Sequence, residues 1–192
     1  MARSKAEEIT AAALRLFREK GYHATSVQDI ANAVGLEKGS LYYYITSKED
    51  FLFTVARRKM TALNQKLEEI VRSADPPQEK LRKAIHHHVL DIANDLDTMT
   101  VLLREMHGLS VARRSDIEAQ TDTYRHLMAA ILREGQETGA FVVSDDIIVM
   151  AVLGAINWVY QWYRPNGRLT AEQIAEAYVQ LFLYGLLPRS EH

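Results

Sequence analysis

From Ser26 to Ile45 the chain spells two short helices across a glycine turn, a pattern few folds accommodate. Ser26 is a helix cap with Asp29 three positions on, in the capping-box place. Val27, Ile30, Ala31 and Val34 then share one side of a helix that Gly35 ends. The turn Val34-Gly35-Leu36-Glu37 reverses the chain, and a second helix covers roughly 38–45, with Leu41 and Ile45 facing inward. Gly39 and Tyr43 then point outward, with Ser40 and Tyr42 on the flanks. These are the dimensions of a helix-turn-helix, whose second helix enters the major groove of DNA and needs a polar, thin outer face. Gly39 supplies thinness, Lys38 charge, and Ser40 and Tyr43 hydrogen-bonding groups near base edges. Tyr42 is placed for a phosphate, where a hydroxyl positions the helix without reading sequence. The helix start at Thr25-Ser26 is a second phosphate site, and Lys48, opening the next helix, a third. Three successive tyrosines cannot all face one core, so Tyr44 is expected inside and Tyr42 or Tyr43 in solvent.

The same helical rhythm runs through the remainder. Further helices are expected at about 3–20, 47–73, 77–95, 98–108, 113–138, 145–163 and 170–187. Ser47, with Asp50 behind it, and Thr170 are caps; Asp75-Pro76-Pro77, Gly108, Gly139 and Pro165-Asn166-Gly167 are breakers. No convincing period-two strand occurs, so the fold is all-α, with nine helices and a natural division near residue 46. The absence of cysteine excludes a disulfide scaffold, thiol catalysis and zinc-finger ligation, and suits a reducing cytoplasm. No secretory pattern opens the chain, and the apolar run Ile147 to Ile156 is too short to span a bilayer, so a cytoplasmic protein without a membrane partner is expected. Residues 1–60 hold ten Lys/Arg against seven Asp/Glu, and the remainder thirteen against eighteen. A basic head on an acidic body is what a DNA-binding module with a separate regulatory part shows. An enzyme finds no support: there is no Gly-x-Ser-x-Gly, no phosphate-cradling glycine loop and no His-Glu-x-x-His. No catalytic residue and no cofactor is expected.

Three stretches carry a family resemblance: Thr25-Ser26-Val27-Gln28-Asp29-Ile30-Ala31, then Val34 through Gly39-Ser40-Leu41-Tyr42-Tyr43-Tyr44-Ile45, then Ser47-Lys48-Glu49-Asp50-Phe51-Leu52. Together they resemble the DNA-binding domain of the TetR family of repressors over about residues 3–55. The resemblance implies a homodimer with a DNA-binding domain at 1–46, joined by the helix at 47–73 to a ligand-binding and dimerisation domain at 47–192. Glu37 departs from the pattern, replacing the usual small hydroxyl residue. Its charge repels phosphate, and it is not counted among the DNA contacts.

The eighth helix, 145–163, is apolar nearly all round and needs cover on every side. A partner subunit supplies it, with Gly154 allowing close packing and Ile174, Tyr178, Leu181 and Phe182 of the ninth helix in the same role. Two heads one DNA turn apart imply a pseudopalindromic operator. Polar and aromatic residues set in apolar helices are the ligand candidates: Arg104, Tyr124, Met128, Asn157, Trp158, Gln161 and Trp162. The segment from Asn157 to Gly167 is similar to that of a TetR branch sensing acyl-CoA thioesters. Gln161 stands where that branch often has a basic residue, leaving Arg164 as the phosphate partner. The expectation is a repressor released by a small-molecule inducer, an acyl-CoA thioester. The alternatives are a regulator of an efflux pump sensing hydrophobic drug-like compounds, and a small helical enzyme. His86-His87-His88 point about 100° apart and cannot chelate one ion together. One is expected inside and the others solvated, and no metal site is assigned.

Overall fold

The computed structural model describes residues 4–142 and 145–186; Arg3 and Leu187, at the expected outer ends of the first and last helices, lie outside them. The first helix, α1 (Lys5–Lys20), starts at a capping box. Ser4 accepts from the Glu7 N–H at 3.2 Å, and the Glu7 carboxylate accepts from the Ser4 N–H at 2.8 Å. Ile9, Ala13, Leu16 and Phe17 form its buried stripe. Gly21, at φ 87°, ends it in a conformation open essentially to glycine, its N–H bonded to the Phe17 carbonyl. Next, α2 (Val27–Ala33) begins at the expected reciprocal box of Ser26 and Asp29.

The turn that follows has a precise hydrogen-bond pattern. Gly35, at φ 66°, donates to the Asn32 carbonyl at 3.3 Å, and Leu36 donates to Ala31 at 2.9 Å. These are the two bonds of a Schellman motif, which needs a left-handed residue at the glycine position.

The recognition helix α3 (Lys38–Leu41) is shorter than expected. Beyond it the chain tightens: Tyr42, Tyr43 and Tyr44 donate to carbonyls three residues back, and Ile45 alone returns to Leu41 four back. Leu41 and Ile45 take the inward face. Then come α4 (Lys48–Arg72), capped by Ser47 accepting from the Asp50 N–H at 3.0 Å, and α5 (Pro77–Asn94), with Pro77 in its first turn. The expected helix at 98–108 is α6 (Leu96–Arg104) followed by a 3-10 turn at Met106–Gly108; α7 (Val111–Glu137) follows.

The expected helix at 145–163 is interrupted. It comprises α8 (Asp146–Asn157) and α9 (Val159–Trp162), separated at Trp158, where the ladder shifts and Gln161 donates to the Trp158 carbonyl three residues back. Last is α10 (Ala171–Leu186), opened by reciprocal bonds between Thr170 and Gln173. With α8 and α9 taken as one interrupted element, the described residues hold nine α-helices and no strand. No described helix is long and apolar enough to cross a membrane.

The chain divides into two units. The first comprises residues 1–59 and 97–118, the second 60–96 and 119–192. The head expected over 1–46 lies wholly within the first. In that unit Phe17 sits edge-on to Tyr22 and Phe51, at 5.2 and 6.0 Å between ring centres. Residues 97–118 are tied to α1 and the start of α4 by several contacts. Asp97 pairs with Arg18, Ser110 donates to Glu49 at 2.9 Å, Arg113 donates to Asp50 at 2.9 Å, and the Arg113 guanidinium lies over the Phe53 ring. Gly108 is required there by close approach: a Cβ on it would meet the Tyr22 ring at 2.4 Å. In the second unit α5 packs along α10 and against α8. Leu81, Ile85, Val89, Ile92, Ile174 and Val179 are buried in it. Buried Lys80 is held by Glu134 at 2.8 Å.

Candidate nucleic-acid interface and effector body

The outer face of α3 is open. Tyr43 is 91% exposed, and Lys38 and Gly39 are exposed while Leu41 is fully buried. Gly39 has no positive φ, and a Cβ built on it meets nothing within 4 Å. Nothing inside the protein therefore calls for glycine at this position. Ser40 and Tyr42 flank this face, Ser40 half-buried and Tyr42 exposed. Tyr44, expected in the core, is instead 48% exposed. The correction has a simple cause: Leu41 and Ile45 already fill the inward positions, and the tightened turn leaves all three tyrosines outside.

The other expected DNA contacts have work within the head. Thr25 is buried, its hydroxyl donating to Gly21 and Leu16 carbonyls at 2.9 and 3.3 Å. Ser26 is exposed, but its hydroxyl is shared between the Asp29 N–H and the Asp29 carboxylate. The Ser26 hydroxyl and backbone N–H, both donating to the Asp29 carboxylate, hold it down at about 2. The ammonium of Lys48 donates to the carbonyls of Tyr22 and Thr25 at 2.7 and 2.8 Å and lies 4.3 Å from the Tyr22 ring centre. Partial burial lowers its pKa. Lys48 thus fastens the α1–α2 loop to the start of α4, and only its remaining N–H is available to a phosphate.

The ligand candidates differ in their surroundings. Tyr124 and Met128 are buried in the second unit, and the Tyr124 hydroxyl meets His88 Nδ1 at 3.1 Å. Burial, with the Asp91 charge, pushes the Tyr124 phenol well above its usual value. His88 is the inward histidine of the three; His86 is half-buried beside Glu176 at 3.2 Å. Bonds from Gln180, His86 and Arg82 hold the Glu176 carboxyl at about 2. No three His, Asp or Glu side chains gather at metal-binding distance among the described residues. Asn157 and Gln161 are half-buried, while Trp158 is 61% exposed and Trp162 and Arg164 are exposed. Trp162, Arg164, Arg168 and Leu169 border a shallow open recess. Arg104 is exposed and belongs to the first unit.

The expected dimer residues also separate. Ile174 is 3% exposed and turned into its own subunit, with Ala175 and Val179, so it is withdrawn from the interface set. Tyr178 and Phe182 are half-buried against each other, with ring centres 6.3 Å apart. Gly154 is exposed, with nothing within 4 Å of a built Cβ. Leu181, named on the ninth helix, is 62% exposed, whereas sequence reasoning missed three other side chains that stand out: Ile147 at 73%, Met150 at 56% and Tyr184 at 75% exposure. Ile147, Met150, Gly154 and Trp158 recur at helical spacing, and that stripe was the available signal.

Comparison with known proteins fits this arrangement. Residues 9–55 match the family described as bacterial regulatory proteins, tetR family, and residues 74–186 match the tetracyclin repressor-like C-terminal domain. The HTH-type transcriptional repressor KstR2 of Mycobacterium tuberculosis is 32% identical over 95% of this chain and 93% of its own length. Among solved structures, the TetR family regulator PfmR of Thermus thermophilus is similar with a TM-score of 0.85 at 37% identity, covering 92% of this chain and 97% of that one. AibR, solved in complex with isovaleryl coenzyme A and operator DNA, is similar with a TM-score of 0.82 at 29% identity, covering 93% and 97%. A helix-turn-helix with an open outer face, a helical body matched by its own family model, and relatives matched along nearly their whole length agree: the chain belongs to the TetR family of transcriptional regulators and is not an enzyme.

Proposed function

We propose that this chain is a homodimeric repressor that holds a pseudopalindromic operator through α3 and releases it on binding an acyl-CoA thioester. One observation carries the DNA-binding half. The face of α3 bearing Gly39 and Tyr43 is thin and unpacked, and its glycine answers no need of the protein itself. A base edge approaching to contact distance supplies that need. Lys38, Ser40 and Tyr43 read the groove. Tyr42, the backbone at Thr25-Ser26 and the remaining Lys48 donor hold phosphates.

Dimerisation is supported by exposed Ile147, Met150 and Gly154 on α8 and by Leu181 and Tyr184 on α10. Covering a large apolar side chain is worth about 1.5–3 kcal/mol, so such exposure favours a second subunit. The thioester is supported by the AibR complex and by the exposed aromatic and basic groups Trp158, Trp162 and Arg164. Indole rings suit an adenine, and a guanidinium suits a phosphate. In this reading residues 1–46 are the DNA-binding domain and 47–192 the effector and dimer domain. The continuous helix α4 links them, and the ligand tilts it. The ligand shifts the equilibrium only by its differential affinity for the two states.

Tyr43→Ala in the full chain tests the DNA half. Its affinity for the duplex upstream of the protein's own gene falls at least tenfold while its oligomeric mass is unchanged. Equal binding by the variant removes α3 from the interface.

A further inference from the structure

The residue that departs from the family pattern also has a side chain that the head does not use. Glu37 precedes α3 directly, with φ −73° and ψ 149°. It is exposed and caps no helix N–H. Other acidic residues at helix starts in this unit are engaged. Glu7 bonds Ser4, Asp29 bonds Ser26, Glu49 accepts from Ser110, and Asp50 and Asp97 meet arginines. The Glu37 carboxylate has no hydrogen bond or ion pair among the described residues. A negative charge left unpaired beside Lys38 and Gly39 weakens attraction to any phosphate backbone. A carboxylate in the major groove finds donors only on amino groups, and of these cytosine N4 suits it best, because the N7 acceptor beside adenine N6 repels it. Guanine presents only acceptors there and repels it. The first residues of a recognition helix are the ones that reach base edges.

We propose that Glu37 is a specificity-determining residue: its carboxylate accepts from a cytosine N4 amino group in each half-site and excludes guanine from that position. This rests on the reading that α3 enters the major groove. Glu37 therefore lowers affinity for DNA in general while raising the contrast between sequences.

The test is selection from a randomised duplex library by the full-length wild type, Glu37→Ala and Glu37→Gln, each checked by circular dichroism. No internal bond is lost in either variant, so both fold. The wild type selects C·G at one position per half-site and discriminates against G·C there about tenfold. Glu37→Ala discriminates less than about twofold at that position, leaves the other positions unchanged, and binds unrelated duplexes more tightly. Glu37→Gln moves the preference toward adenine, which glutamine reads through N6 and N7. A motif identical in wild type and Glu37→Ala, with affinity raised equally for every sequence, overturns the role of Glu37 alone. Loss of preference at every position also overturns it. A wild type that selects no motif overturns the reading of α3 itself.

Discussion

Replacing Gly39 by alanine separates what the protein needs from what its partner needs. The backbone there is not in the glycine-only region, and an added Cβ meets nothing within 4 Å. Alanine therefore fits without strain, raises local helix propensity and narrows the unfolded ensemble. Together these are worth about 0.5–1 kcal/mol of added stability. For a chain of this size the gain raises Tm by roughly 1–4 °C. On DNA the sign reverses. The methyl group stands where α3 approaches a base edge, and overpacking a tight contact costs about 1–3 kcal/mol, or roughly five- to 150-fold in affinity. The assay pairs a thermal melt with fluorescence anisotropy on one labelled operator duplex at one fixed salt concentration, since affinity depends steeply on salt. A variant that melts lower than wild type refutes the claim that the protein has no use for this glycine. A variant that melts higher and binds equally well refutes close approach of this face to DNA.

Lys48→Met leaves the carbonyls of Tyr22 and Thr25 without their donor and lowers stability by about 1–3 kcal/mol in denaturant melts; an unchanged melt with weaker DNA binding would make Lys48 a phosphate anchor alone. Asp29, held at about 2 by Ser26, lies below the unfolded carboxylate value of about 3.9. Its contribution is present above about pH 4 and lost as pH falls toward 2. The stability gap between wild type and Asp29→Asn accordingly closes across that window in acid melts, and a gap constant with pH contradicts the capping account. Leu181→Glu places a charge on the exposed apolar face of α10 and shifts the mass seen by light scattering from dimer to monomer, whereas Ile174→Val leaves the mass unchanged.

Local chemistry was legible in the sequence where one residue answers one backbone need. The box at Ser26 and Asp29, the cap at Ser47, the left-handed Gly35 and the inward pair Leu41 and Ile45 follow from short-range rules that tertiary packing does not override. What was missed depends on distant partners. Nothing near Lys48 announces that two carbonyls from the α1–α2 loop will claim its ammonium. An apolar helix such as 145–163 advertises that it must be covered, but not which side its own subunit covers. The last helix poses the same problem: its apolar residues stood out together, yet Ile174 is turned inward and Leu181 outward. Tyr44 was placed inside by a uniform helical step, which the tightened turn after Leu41 does not follow. The ligand candidates were picked by composition, as polar or aromatic residues in apolar helices, and His88 beside Tyr124 shows that such a residue can be satisfied by a neighbour.

The central claim is release from DNA by a thioester, and one titration addresses it directly. The full-length protein is bound to a labelled duplex selected by its own head, and isovaleryl-CoA, a long-chain acyl-CoA, free CoA and a hydrophobic cationic dye are added in parallel. The account predicts that an acyl-CoA lowers anisotropy to that of free duplex, while free CoA and the dye leave the complex intact. Release by the dye alone, or no release by any thioester at saturating concentration, contradicts it.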